Sequence, residues 1–158
     1  MKTILAFGDS NTWGLVPGSK PLERYDRSIR WTGLLEELLD DTRVIEAGLC
    51  GRTTVFEDPL RPGRKGVSAL PSVLDSQSPL DLVLIMLGTN DSACTTTEGA
   101  PVSPATYGAN IRTIINALIE AGTPHNYWLG KSFLTLADVY YKQGNVTQAR
   151  EYLYFDYF

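Results

Sequence analysis

The chain has 158 residues, 43% hydrophobic and 20% charged, with a net charge of −4, a mix that suits a soluble packed core and argues against disorder, collagen-like or coiled-coil architectures. Lysine and arginine are scattered, without the basic stripe that a phosphate backbone asks for, so no nucleic-acid partner is expected. Two cysteines, Cys50 and Cys94, and one histidine, His125, show no metal-ligand spacing, and neither a metal nor another cofactor is expected.

In chain order, the apolar run from Ile4 to Phe7 empties into Gly8-Asp9-Ser10-Asn11, the pattern of a buried strand ending in a turn. One lysine and so short a run do not make a signal segment, and nothing approaches membrane-spanning length; the reading is a cytoplasmic protein. A loop rich in Pro, Gly and charge, residues 16–28, precedes a predicted helix whose apolar stripe is Trp31, Leu34, Leu35, Leu38 and Leu39. "TRVIEAGL" reads as a second strand ending at Gly48, and residues 59–79 as a loop leading into a short helix near Val67 to Leu74. "DLVLIMLG" is the strongest strand, with Leu82 to Leu87 all apolar, as in the middle of a parallel sheet covered on both faces. Ser103-Pro104 opens a helix carrying Ile111, Ile114, Ile115, Leu118 and Ile119, which Gly122 ends. The β-α-β-α-β-α alternation through residue 122 predicts a parallel sheet wound with right-handed crossovers.

Each strand is followed by a turn with usable chemistry: Gly8-Asp9-Ser10, then "GLCGRTT" from Gly48 to Thr54, then "GTND" from Gly88 to Asp91. If the strands are parallel neighbours, the three turns share one edge, bringing a hydroxyl, a glycine N–H and an Asn amide to one place. Acyl transfer from an ester needs that set, with Ser10 as nucleophile and the N–H groups of Ser10 and Gly51 and the Asn90 amide around the oxyanion. Asp9 reads as a hydrogen-bond acceptor for its own turn, and Asp91 as a cap for the following segment. Cys50 has only Arg52 nearby to lower its pKa and is not read as a nucleophile.

"FGDSNTWG", the glycine in "EAGLCGRTT" and "IMLGTND" resemble the first three sequence blocks of the SGNH/GDSL hydrolases, and "RWTG" and "PLDLVLIMLGTND" are similar to the arylesterase/acyltransferase branch. The resemblance covers residues 1 to about 122. It implies a flavodoxin-like three-layer α/β fold, serine esterase chemistry without metal on a small ester or acyl substrate, and Ser10, Gly51 and Asn90 as nucleophile and oxyanion donors. The family also implies a late Asp-x-x-His block, which this sequence does not contain: Gly122 stands three residues before His125. His125 is expected a strand's length from Ser10, so the chain alone is expected to be a feeble esterase at most, since losing the base costs roughly 10⁴ to 10⁶ in turnover.

From residue 123 the texture changes. Phe133, Leu136, Ala137, Tyr140, Ala149 and Leu153 resemble a single tetratricopeptide repeat, a helix pair turning at Gly144, and "EYLYFDYF" closes the chain with five aromatics. The expected organisation is therefore an α/β domain over 1–122, truncated with strand order 2-1-3, and an α-helical hairpin over 123–158. A missing fourth strand would bare the apolar edge of the third, giving self-association through that edge or through the helix pair unless the tail covers it. A non-catalytic interaction module built on the helix pair is the alternative function.

Overall fold

The computed structural model describes residues 1–58, 61–93, 102–122 and 127–129. Strand β1 is Lys2–Gly8, and its alternation sets the layers. Leu5 and Phe7 face a core made with Leu70, Leu74, Ile111, Ile114 and Leu118, while Ile4 and Ala6 face the other way onto Val44, Trp31 and Leu35. Full burial of such side chains stabilises by about 1.5–3 kcal/mol each, so β1, apolar on both faces, is the seam of the molecule. Helices α3 (Gly66–Gln77) and α5 (Pro104–Glu120) pack together on the first face, and α2 (Trp31–Leu38) covers the second. Ser103 opens α5 as expected, its side chain accepting from the Thr106 N–H at 3.1 Å with Pro104 in the first turn.

The sheet is parallel. β2 (Thr42–Gly48) and β3 (Leu82–Met86) flank β1, giving the expected 2-1-3 order. A fourth strand, β4 (Tyr127–Leu129), corrects the expectation of a sheet truncated after its third strand and of a helix pair starting at 123: the chain beyond 122 covers the third edge, pairing parallel with Val83, Leu84 and Ile85. The rest of the segment expected to form the helix pair, with Phe133, Tyr140 and Leu153, lies outside the described residues.

β2 is left at the sheet's outer edge, where unpaired backbone groups invite another strand. Side chains answer them here. Val44 N–H donates to Glu36 Oε2 at 2.5 Å, Val44 C=O accepts from Arg27 Nη2 at 3.2 Å, and Arg27 and Glu36 pair at 2.9 Å. Beside them Glu46 accepts from Arg24, Arg27 and Arg30 at 3.1, 3.2 and 2.8 Å and from the Thr32 hydroxyl, fastening the residue 16–30 loop to β2.

That fastening corrects the predicted leucine stripe of α2. Trp31 and Leu35 do pack inward, but Leu38 is 81% exposed and Leu34 and Leu39 are also exposed, while Thr32 and Gly33 are buried. A Cβ at Gly33 would lie 2.0 Å from Arg27 O, so the helix rests on the loop through its smallest residue. Polar anchoring through Thr32, not apolar period, chose the face.

Candidate active site

Three parallel strands end side by side, with Gly8 opposite Gly48 on one flank and Met86 on the other. The loops that follow therefore leave from one row. At Gly8 a Cβ would meet Thr12 Oγ1 at 2.1 Å and Met86 O at 2.8 Å, and at Gly48 it would meet Trp13 N at 2.2 Å. These glycines let a one-turn helix, α1 (Ser10–Trp13), lie directly against the strand ends. Asp9 caps it, its Oδ1 accepting from Asn11 N–H at 2.9 Å and from Asn11 Nδ2 at 3.1 Å, and Gly14 closes it in the left-handed region. Ser10, half-buried, is the helix's first residue. Asp9 is fully buried, and burial raises its pKa against the lowering pull of Asn11. It is the structural acceptor its turn predicts.

The second loop makes a tight turn in which Arg52 N–H donates to Leu49 O at 3.0 Å and Gly51 takes φ +80°. A positive φ at the third position is the type II geometry that selects glycine. Space does not, because a Cβ there would come only within 3.7 Å of the Arg61 guanidinium. The loop is bolted to the first one: Leu49 N–H donates to Gly8 O at 3.1 Å, and Arg52 Nη1 donates to Gly8 O at 3.0 Å and to Ala47 O. The Arg52 guanidinium, 4.1 Å from the centre of the Phe7 ring, is buried, which pulls its pKa down to about 10. Cys50 is half-buried and its thiol is pushed up by burial, the wrong direction for a thiolate nucleophile.

The third loop enters α4 (Thr89–Ala93). Asn90 Nδ2 donates to Arg52 O at 2.9 Å, tying this loop to the one that carries Gly51. Asp91 does not act as a plain cap. It is 1% exposed, and its carboxylate accepts from Thr54 N–H at 2.9 and 3.0 Å and from the Thr54 hydroxyl at 2.5 Å, 37 residues away; the hydroxyl in turn accepts from Asn110 Nδ2 at 2.9 Å. A helix of one turn gives a carboxylate little to cap, whereas a buried N–H and hydroxyl across the gap need an acceptor. Burial raises the Asp91 pKa, opposed by the Thr54 bonds.

Ser10, Gly51 and Asn90 thus stand on three loops joined by hydrogen bonds at Gly8 O and Arg52 O. His125 and Cys94 lie outside the described residues. The sequence matches the GDSL-like lipase/acylhydrolase family over residues 6–152. The chain belongs to that family. Among solved structures it is similar to the M. smegmatis aryl esterase, 41% identical, with 77% of this chain and 56% of that one covered and a TM-score of 0.66. It is also similar to a carbohydrate acetylesterase from Sinorhizobium meliloti, 36% identical over the same shares, with a TM-score of 0.67. The chain spans little more than half the length of these relatives. A comparison with curated proteins gave no match.

For a GDSL-like chain, the sequence blocks name the groups at the strand ends but not what holds them. Arg52, Thr54, Arg64 and Asn110 carry that scaffold; Arg52 and Thr54 lie within the second turn, whereas Arg64 and Asn110 lie outside all three. Among the described residues no group of three or more His, Cys, Asp or Glu could hold a metal, and no helix is long and apolar enough to cross a membrane.

Proposed function

We propose that this GDSL-like chain carries the nucleophile and oxyanion site of a serine ester hydrolase. Ser10 Oγ attacks the ester carbonyl, and the oxygen that becomes negative accepts hydrogen bonds from the N–H groups of Ser10 and Gly51 and from Asn90 Nδ2. An amide nitrogen has two hydrogens. One from Asn90 goes to Arg52 O, which fixes the side chain and leaves the second for substrate. The observation that carries the reading is this cross-bonding of three loops rising from adjacent strand ends.

Small aryl esters and acetylated sugars are the substrate classes to try, following the names of the two similar esterases. Asp9 accepts twice from Asn11 through Oδ1 and is fully buried, and we read it as a structural acceptor and not as the base. Among the described residues none is assigned as the base; the one histidine of the sequence, His125, lies outside them. From an oxyanion site and binding alone, acceleration of about 10³ to 10⁴ over water is accessible, enough to acylate Ser10 slowly from an activated ester. Release of p-nitrophenol from p-nitrophenyl acetate tests this. A rate above buffer that vanishes in Ser10→Ala is expected; equal rates in the two proteins would remove Ser10 from the chemistry.

A further inference from the structure

We infer that Arg64 is a positioning residue for the site, holding and polarising the peptide whose N–H is the Gly51 oxyanion donor. The inference rests on the proposed role of Gly51. Arg64 Nε donates to Cys50 O at 3.1 Å. That carbonyl and the Gly51 N–H belong to one trans peptide, so they point in opposite directions in one plane. Fixing the oxygen toward Arg64 therefore fixes the hydrogen away from it, about an axis that the positive φ of Gly51 would otherwise leave free to swing.

Arg64 is itself held for this task. Its Nη1 donates to Pro62 O at 3.0 Å, its N–H donates to Glu57 Oε1 at 2.9 Å, and its C=O accepts from Thr53 N–H at 3.0 Å. The half-buried guanidinium thus reaches Cys50 O from a side chain and backbone fastened at both ends. Arg52 and Asn90 secure the far side of the same turn, through Leu49 O, Gly8 O and Arg52 O. A cationic donor on the carbonyl also draws electron density from the amide, making its N–H a stronger donor to a developing oxyanion. Arg64 touches no reacting atom. Its contribution passes entirely through the Cys50–Gly51 peptide.

The side-chain lengths supply the test. Gln places an uncharged N–H where Arg has Nε, and Met places a carbon beyond its sulfur at that distance with no donor. In the 158-residue chain, Arg64→Met should move the Gly51 amide ¹⁵N resonance upfield and slow Ser10 acylation by p-nitrophenyl acetate about fivefold, with KM little changed. Arg64→Gln should recover most of both. A Gly51 resonance unmoved in Arg64→Met, or Met and Gln variants that behave alike, would overturn the inference. If Arg64→Met does not fold, a scalar coupling across the bond from Arg64 Nε to the Cys50 carbonyl carbon in the unaltered protein takes its place, and its absence overturns the inference equally. No acylation of Ser10 in the unaltered chain would instead count against the proposed function, with the Gly51 resonance still deciding whether Arg64 holds the peptide.

Discussion

At the outer edge of the sheet Glu46 gathers Arg24, Arg27 and Arg30, while at the strand ends Asp91 takes the backbone and hydroxyl of Thr54 in the interior. The first ties a loop to a strand and the second ties one strand-end loop to the next, and their surroundings act on carboxylates in opposite directions. Burial raises Asp9 and Asp91, and at the edge the Val44 N–H lowers Glu36. The Arg27–Glu36 pair at the edge is exposed enough for water to replace its partners. The strand-end groups are not, and they hold the backbone on which the proposed chemistry depends.

Three substitutions set the two regions against each other. Asn90→Ala should slow Ser10 acylation roughly 10² to 10³-fold, the usual cost of one oxyanion donor, with a much smaller loss of stability; a change under tenfold would sever the third loop from the site. Arg52→Met removes the buried side-chain donor from Ala47 O and one of the two donors from Gly8 O, and should lower unfolding free energy by about 2–3 kcal/mol in urea titrations. The same experiment on Arg27→Ala should show about 0.5–1 kcal/mol, because its side chain is 42% exposed. Equal losses would erase the distinction drawn here.

Acid separates the clusters without altering packing much. Asp91 has a folded pKa above its ordinary 3.8, so the folded state binds its proton more readily; its contribution to stability rises as pH falls from that raised value to 3.8. Glu36 lies below its ordinary 4.5, so its contribution is present above 4.5 and is lost as pH falls through the folded value. The melting temperature of the unaltered chain relative to Asp91→Asn should therefore climb on acidification, and relative to Glu36→Gln it should drop below pH 4.5. Parallel trends would contradict the assignment of opposite causes.

The same contrast explains what the sequence could reveal. Ile4 to Phe7 and Leu82 to Leu87 are apolar on both faces, so the inner strands and the turns that follow them were legible from pattern, while their 2-1-3 order came with the family resemblance. Tyr127–Leu129 was not, because three residues carry no period and the surrounding segment reads as helical. The face of α2 escaped for a different reason: Thr32 is held by Glu46 and Gly33 by its closeness to Arg27, contacts that a hydrophobic stripe does not encode. Asp91 and Thr54, like Arg64 and Cys50, meet across turns whose shape must be known first.

The central claim is that Ser10 N–H, Gly51 N–H and Asn90 Nδ2 face one oxygen. A crystal structure of the chain after reaction with a fluorophosphonate tests it most directly. The account predicts a phosphonyl group on Ser10 Oγ whose oxygen accepts from all three donors at about 2.7–3.1 Å. An adduct oxygen turned to solvent or to other groups, or no adduct on Ser10, would contradict it.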